Sequence, residues 1–199
     1  MTAAFQLAPV APAPHYKGMT ETTNLIGQML IAMPSMGDPR FAGSVIYICA
    51  HSDDGAMGLI VNKPVKDLAF PDLLSQLEIE AIDQARNTQV YFGGPVEHGR
   101  GFVLHSPDYK TQGSTLQVDD AVSMTATLDI LEDIARGFGP ASSLLALGYA
   151  GWSAGQLENE LAENGWLTCD GVPEIIFGTN SDDKWRDALA TLGVSPLML

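Results

Sequence analysis

The chain has 199 residues, of which 46% are apolar and 17% charged, proportions typical of a folded globular domain rather than of a disordered chain. Its formal net charge is −14 and its lysines and arginines form no cluster, which argues against direct DNA binding because that requires clustered cations. The longest apolar run, near 25–33, is interrupted by a glycine and a glutamine and is too short to cross a bilayer, so no membrane partner is predicted.

Residues 1–23 are predicted to be a flexible extension rich in alanine and proline, because they contain three prolines and lack the basic start of a secretory signal. Residues 24–199 are long enough for one domain with a sizeable core. The two cysteines, Cys49 and Cys169, are far apart, and without an export signal they are expected to be reduced thiols. The sequence therefore predicts a cytoplasmic location.

Strand patterns dominate the first half of the chain. Residues 27–36 and 44–51 are predicted strands, and the β-branched and aromatic content of the second predicts that it is buried. The sequence SDDG at 52–55 predicts a tight turn into a returning strand over 56–62. A helix is predicted over 68–77, with a proline tolerated in its first turn.

The second half of the chain alternates strands with helices. The predicted elements are strands over 89–96, 100–106, 142–150 and 172–178, a weaker extended stretch over 115–127, and helices over 128–139, 156–164 and 181–194. The first two of these strands are predicted to pair around the sequence EHG. Gly137 and Gly193 are expected to end two of the helices, and Ser181 to cap the last one. Hairpins in the first half of the chain and alternating strands and helices in the second half predict an α+β fold with helices packed on a mixed sheet.

The stretch GYAGWSAGQLE at 148–158 contains a G-x-S-x-G pattern between a predicted strand and a predicted helix. This is the context of a nucleophile elbow, which would make Ser153 a catalytic nucleophile. In that hydrolase fold the catalytic histidine follows the serine in the chain, whereas all four histidines here precede Ser153. That fold's triad is therefore excluded. Only a triad of another chain order, with His51 or His105 as base, stays open.

Helix capping explains the same residues without catalysis. Ser153, followed three residues later by Gln156, matches a capping box in which each side chain satisfies a free amide. Trp152 and Leu157 occupy the positions of a hydrophobic staple, and Gly165 is placed to end the helix in the left-handed conformation. The sequence therefore predicts that Ser153 is a helix cap.

Cys49 and His51 raise two further hypotheses. A structural zinc site needs four ligands, usually in two close pairs, and only this one loose pair occurs, so no metal site is predicted. Residues two apart in a strand share a face, so His51 could stabilise a thiolate at Cys49 and make it redox-sensitive. The alternative is that Cys49 is a small apolar residue buried at the end of its strand.

Two turns contain further candidate residues. Gly93 and Gly94, which precede a proline, suit a tight turn with positive φ at least as well as a phosphate cradle. The chain has neither a Walker loop nor a G-x-G-x-x-G sequence, so no nucleotide cofactor is predicted. Asp38 is expected to begin a turn by bonding its own backbone.

Several longer motifs resemble, in the same order, those of the AlgH/YqgE family of bacterial proteins. They are LIAMPSMGDPRF (30–41), SVIYICAHSDDGAMGLIVNKP (44–64), GGPVEHGRGFVLHSP (93–107), ALGYAGWSAGQLENEL (146–161), NGWLT (164–168) and KWRDALATLGV (184–194). The resemblance extends from about Gly27 to Val194. The family pattern that starts at Trp152 reads W-x-x-G-Q-L-E, so position 153 varies. Glutamate usually follows the strand cysteine, where this chain has Ala50.

The resemblance implies a single compact domain of mixed α/β structure, with a bifurcated β-sheet partly closed into a small barrel and flanked by helices. It implies no established enzyme activity, although the family carries a regulator's name from a link to alginate gene expression. The residues that lie in the shared motifs, and so define an expected binding surface, are Asp38, Cys49, His51, Asn62, Gly93, Gly94, Arg100, His105, Trp152, Gln156 and Glu158.

The leading prediction is a non-catalytic binding or regulatory protein that acts through a protein or small-molecule partner, with no cofactor and no metal. The alternatives are a hydrolase or transferase that uses His51 or His105 as a base, and a redox-sensitive thiol protein that uses Cys49. Convergence of these polar side chains in one deep pocket, with perturbed pKa values, would favour the enzyme.

Overall fold

A computed structural model describes residues 24–82, 88–111, 113–178 and 180–199, so the predicted extension over 1–23 lies outside the described residues. The strands and helices in those ranges are β1 Gln28–Ala32, β2 Val45–Ser52, β3 Gly55–Ile60, α1 Phe70–Gln76, β4 Val90–Phe92, β5 Val96–His105, β6 Thr115–Gln117, β7 Ser123–Thr125, α2 Leu128–Ala135, β8 Ser143–Ser153, α3 Gln156–Ala162, β9 Trp166–Asp170, α4 Pro173–Ile176, α5 Lys184–Thr191 and a short 3-10 helix Pro196–Met198.

The sheet divides along the long strand β8. Residues 143–147 of β8 pair with β5 on one side, and residues 145–147 pair in parallel with β4 on the other. Residues 150–153 of β8 pair instead with β3. The strand order is β6-β7-β5-β8-β3-β2-β1-β9, with β4 joined to β8 off this path. The sheet is therefore bifurcated, as predicted.

Three apolar clusters hold helices against this sheet. The largest contains residues of β1, β2, β3, β5 and β8 and reaches α4 and α5. A second lies on the opposite face of β1, β2 and β3 and includes Leu157 of α3. A third packs α1 and α2 against β4, β5 and β8. The sheet is curled into a half-barrel, and the Tyr47 hydroxyl donates to Asp119 Oδ2 at 2.6 Å, which links β2 to the β6–β7 turn.

The Gly93–Gly94 pair forms the junction where the two parts of the sheet meet. The Gly93 N–H donates to Leu147 O at 2.8 Å, and Gly93 O accepts from Ile60 N–H at 2.9 Å. A Cβ on Gly93 would lie 2.2 Å from Gly148 O. Both glycines therefore permit close backbone approach. The prediction that 89–96 and 100–106 form a hairpin is wrong, because β4 pairs with β8 and β5 continues through the EHG sequence.

Two predictions near the carboxyl end of the chain are also wrong. Residues 172–178 do not form a strand, because Pro173 opens the short helix α4. The strand β9 over Trp166–Asp170 was not predicted, because the strand that pairs with it, β1, is far away in the sequence. In such short apolar runs, periodicity does not separate strand from helix.

The helix ends confirm two predictions and correct a third. Gly137 and Gly193 adopt positive φ values of 83° and 69° after α2 and α5. Ser181 does not cap α5, whose N-cap position is Asp183. The Ser181 hydroxyl instead bonds the hydroxyl of Tyr91 at 3.1 Å. None of the helices within the described ranges is long and apolar enough to span a membrane.

Candidate functional site

Ser153 is the last residue of β8 and lies two residues before the N-cap of α3, which is Gly155 with a φ of 73°. The prediction that Ser153 caps the helix is therefore wrong, because Ala154 and Gly155 form a turn between strand and helix. The N–H and the hydroxyl of Ser153 both donate to Gln156 Oε1, at 3.1 and 3.2 Å. The left-handed residue after α3 is Asn164, not Gly165 as predicted.

His51 does not activate Ser153. Its Nδ1 accepts the backbone N–H of Leu25 at 3.2 Å, so Nε2 carries the proton and donates to Glu158 Oε1 at 2.7 Å. The imidazole is 5% exposed. The pKa of Glu158 is lowered by a hydrogen bond from its own backbone N–H and by the bond from His51. Both ring nitrogens are thus occupied, and the pair fastens α3 to β2.

Glu160 joins two tryptophans at the same corner of the fold. Its Oε2 accepts the indole N–H of Trp152 at 2.9 Å and that of Trp166 at 2.8 Å. Its Oε1 accepts from Gln156 Nε2 at 2.9 Å. The two indole rings lie edge to face at 6.1 Å. The Trp152 and Gln156 side chains of the expected surface therefore serve a structural contact between α3, β8 and β9.

Replacement of Glu160 with leucine is expected to lower the free energy of unfolding by about 2–3 kcal/mol, because two largely buried indole N–H groups lose their acceptor. Urea denaturation followed by tryptophan fluorescence measures this effect. Glu163→Leu is the matched control, since Glu163 is exposed and follows the same helix. Equal stability of the two variants would contradict a structural role for Glu160.

Cys49 and His51 lie on different faces of β2. A bulge between Ile48 and Ala50 shifts the register, so His51 pairs with Ala56 on the face of the second cluster while Cys49 packs in the largest one. Cys49 is 2% exposed, and burial raises the pKa of its thiol. This geometry does not favour a redox-sensitive thiol, which needs an accessible sulfur and a stabilised thiolate.

His105 is fully buried, and burial lowers its pKa. Its Nδ1–H donates to Ser106 O at 2.9 Å, and its Nε2 accepts from the Thr125 hydroxyl at 2.9 Å. The Thr125 hydroxyl in turn lies 2.8 Å from that of Thr115. A neutral imidazole with both nitrogens bonded holds β5 against β7, and because His105 and Thr125 are both fully buried, neither is within reach of a substrate.

Asp38 and Asn62 stabilise the loop between β1 and β2. Asp38 accepts the backbone N–H of Arg40 at 2.9 Å, which confirms the predicted turn, and the bond from the Arg40 side chain lowers its pKa. Asn62 Oδ1 accepts the Val45 N–H at 2.8 Å, and its Nδ2 donates to Gly43 O at 2.8 Å. Asp38 therefore acts within its own loop, whereas Asn62 bonds that loop and the start of β2 from the segment after β3.

Arg100 lies elsewhere, on β5. Its guanidinium bonds Glu97 at 3.2 Å and lies 5.1 Å from the centre of the Phe102 ring. The polar residues of the expected surface are thus spread over several elements and do not converge in one pocket. Within the described ranges no group of three or more histidine, cysteine or acidic residues could hold a metal ion.

A concave surface lies at the amino ends of the parallel strands β4 and β8. A cavity of about 610 Å³ shares Ala141 and Ser143 with one of about 440 Å³, and shares Thr88 and Gln89 with one of about 250 Å³. We call the three together the β4–β8 groove. Its central part is lined by hydroxyl and amide side chains, among them Thr88, Gln89, Ser142, Ser143, Asn180 and Ser181.

The β4–β8 groove contains none of the residues of the expected surface. Sequence reasoning missed it because the groove depends on the parallel pairing of Val90 with Leu145, residues that are far apart in the chain. A local signal does exist in the small polar residues Ser142 and Ser143 before an apolar run, but such residues are ordinary at a strand start.

A buried lysine lies behind the wall of this groove. Lys184 Nζ donates to Val61 O at 2.8 Å and to Ile176 O at 2.7 Å, and it lies 5.0 Å from the centre of the Tyr91 ring. The residue is 2% exposed, and burial lowers the pKa of its amine to about 8. Lys184 therefore ties α5 and α4 to the sheet.

A single α+β domain with a bifurcated half-barrel sheet and flanking helices is the class of protein that this fold defines. A family model described as AlgH-like (DUF179) matches residues 29–197. The chain therefore belongs to the AlgH-like family, as the shared motifs predicted.

Relatives and solved structures agree with this assignment. A UPF0301 protein of Paracoccus denitrificans is 56% identical over 183 residues, which cover 91% of this chain and 96% of the relative. A UPF0301 protein of Ruegeria pomeroyi is 58% identical over 177 residues, covering 88% and 96%. The solution structure of AlgH from Pseudomonas aeruginosa has 43% identity and a TM-score of 0.75, covering 92% of this chain and 96% of that one. A Corynebacterium diphtheriae crystal structure at 22% identity, with a TM-score of 0.68 and coverage of 87% and 90%, shares the fold.

Proposed function

We propose that the protein is a non-catalytic binding protein of the cytoplasm, which regulates or assists a partner and binds a small polar molecule in the β4–β8 groove. The observation that carries this proposal is the groove itself. Its central cavity of about 610 Å³ falls within the roughly 300–1,000 Å³ of typical small-molecule sites. Its hydroxyl and amide side chains offer hydrogen bonds to such a molecule.

The occupied histidines favour binding over catalysis. A general base needs a free lone pair within reach of the proton that it removes. His51 and His105 each have both ring nitrogens in hydrogen bonds to protein groups. Neither histidine lines the groove. His51 would have to break its contact with Leu25 to act as a base, and His105 is fully buried together with its hydroxyl partner Thr125.

The lining of the groove indicates the kind of molecule that it would accept. Lys66 and Asp182 are the charged residues of the central cavity, and the remaining polar groups there are neutral. A neutral or zwitterionic metabolite with several hydrogen-bonding groups fits this distribution better than a multiply charged anion. The net charge of −14 also disfavours polyanionic partners such as DNA.

Thermal denaturation in the presence of a library of polar metabolites tests the proposal. A ligand at about 100 times its dissociation constant is expected to raise the melting temperature by about 5–10 °C. Gln89→Trp should abolish this shift, because Gln89 is exposed and lines the groove. Gln117→Trp is the matched control, since Gln117 is exposed on β6 and outside the groove.

Two results would contradict this proposal. A ligand whose stabilisation persists in Gln89→Trp binds somewhere other than the groove. Turnover of a library compound that is lost in His51→Ala or His105→Ala would replace the binding protein with an enzyme.

A further inference from the structure

Strand β9 lies at the end of the sheet and presents an open edge. Gly171 N–H donates to Gly27 O at 3.0 Å, and Met33 N–H donates to Gly165 O at 3.1 Å. Hydrogen-bonded pairs alternate in an antiparallel ladder, so Leu167 and Cys169 are the residues of β9 that bond β1. The N–H and C=O groups of the alternate residues of β9 point away from β1.

Those outward groups belong to Trp166, Thr168 and Asp170, of which Trp166 is buried, Thr168 is partly exposed and Asp170 is exposed. Within the described ranges, none of their backbone N–H or C=O groups has a protein hydrogen-bond partner. Soluble proteins usually protect such an edge with proline, lysine or a bulge. The sequence of β9, WLTCD, contains no proline or lysine, and its register with β1 is continuous.

The segment of the chain that contains this edge carries only acidic charges. Residues 156–178, which form α3, β9 and α4, contain five glutamates and aspartates and no lysine or arginine. Four of the five are exposed, namely Glu158, Glu163, Asp170 and Glu174. A strand added to β9 would therefore enter a field of negative charge, which favours a basic partner.

We propose that the β9 edge binds an extended basic segment of another protein as an additional strand. Backbone hydrogen bonds to Thr168 and Asp170 would supply the affinity, and lysine or arginine side chains facing the acidic residues would supply selectivity. Pairing of β9 with β9 of a second copy is disfavoured, because it would bring two acidic surfaces together.

This inference rests on the proposed function, since it names the class of protein partner, but it uses a surface separate from the β4–β8 groove. The two fail independently. Gln89→Trp should abolish small-molecule binding and leave peptide binding unchanged, whereas variants of β9 should do the reverse.

Amide hydrogen exchange tests the geometry directly. In the free protein, the amides of Thr168 and Asp170 are expected to exchange fast and those of Leu167 and Cys169 slowly. An eight-residue peptide that alternates lysine and valine should slow the two fast amides. The same peptide with N-methylated valines has equal charge but lacks half of its donors, and it should give no such protection.

Titration calorimetry with the lysine–valine peptide compares matched variants. Thr168→Pro removes an outward N–H without disturbing the ladder to β1 and should weaken binding about tenfold or more, whereas Thr168→Val keeps the N–H and should bind as the native protein does. Asp170→Lys should weaken binding about three- to tenfold. The same change at the exposed turn residue Asp53 should alter binding less than about twofold.

Three outcomes would overturn the inference. One is equal binding of the N-methylated peptide, which would mean non-specific attraction to an acidic protein. Another is slow exchange of the Thr168 and Asp170 amides without peptide, which would mean that the edge is already covered. The third is concentration-dependent dimer formation that protects the same amides. If Thr168→Pro does not fold, the exchange pattern and Asp170→Lys still decide the matter.

Discussion

Gly94→Ala is expected to lower the free energy of unfolding by about 3–5 kcal/mol, enough to leave much of the protein unfolded. Gly94 has a φ of 154°, which side chains rarely adopt. A Cβ there would lie 2.1 Å from the carbonyl carbon of Tyr149 and 2.3 Å from the nitrogen of Ala150. These are backbone atoms, so the clash cannot be relieved by a rotamer change. The junction of β4 and β8 would have to move.

Gly99→Ala is the matched control for this prediction. Gly99 lies in β5, its φ is not in the left-handed region, and no atom lies within 4 Å of the position of an added Cβ. Urea denaturation followed by circular dichroism should show native-like stability for this variant. A Gly94→Ala protein within about 1 kcal/mol of the Gly99→Ala protein would contradict the close approach at the junction.

Lys184→Ala is expected to lower the free energy of unfolding by about 3–5 kcal/mol, because it leaves a cavity and removes the donor from two buried carbonyls. Lys184→Met keeps most of the side-chain volume but removes the amine, so it tests the contribution of the charge to stability. Arg186→Met is the control, since Arg186 is exposed on the same helix. Denaturation at pH 8 measures the free energy of unfolding of the three variants and so ranks them.

The pH dependence distinguishes a buried ammonium group from a merely well-packed side chain. Burial lowers the pKa of Lys184 to about 8, below its unfolded value of 10.5, so the unfolded chain binds more protons between these values. Native stability should therefore rise with pH in this window relative to Lys184→Met, by about 2 kcal/mol from pH 7 to pH 9.5. This contribution is lost as the pH falls through 8. A difference in free energy of unfolding between the two proteins that stays constant over this pH range would show that the amine is not desolvated.

Much of the fold follows from short-range patterns. The SDDG turn between β2 and β3, the proline start of α1 and the glycine ends of α2 and α5 appear as predicted. Each depends on residues within a few positions of one another. The family assignment follows for the same reason, because its motifs are contiguous stretches of sequence.

The candidate site was predicted less well, since side-chain environments depend on strands that are distant in the sequence. A one-residue bulge in β2 separates Cys49 from His51, although their spacing predicted a common face. Ser153 lies in the predicted strand–turn–helix context, yet two additional turn residues move the cap to Gly155.

The sequence by itself determined the acidic charge, the α+β class, the family and the absence from the chain of a histidine after Ser153. Only the tertiary structure decided which imidazole nitrogens are occupied, where the β4–β8 groove lies and that β9 has an open edge. The physical reason is that local propensity acts over a few residues, whereas strand pairing and burial join residues such as Val90 and Leu145 that the sequence separates.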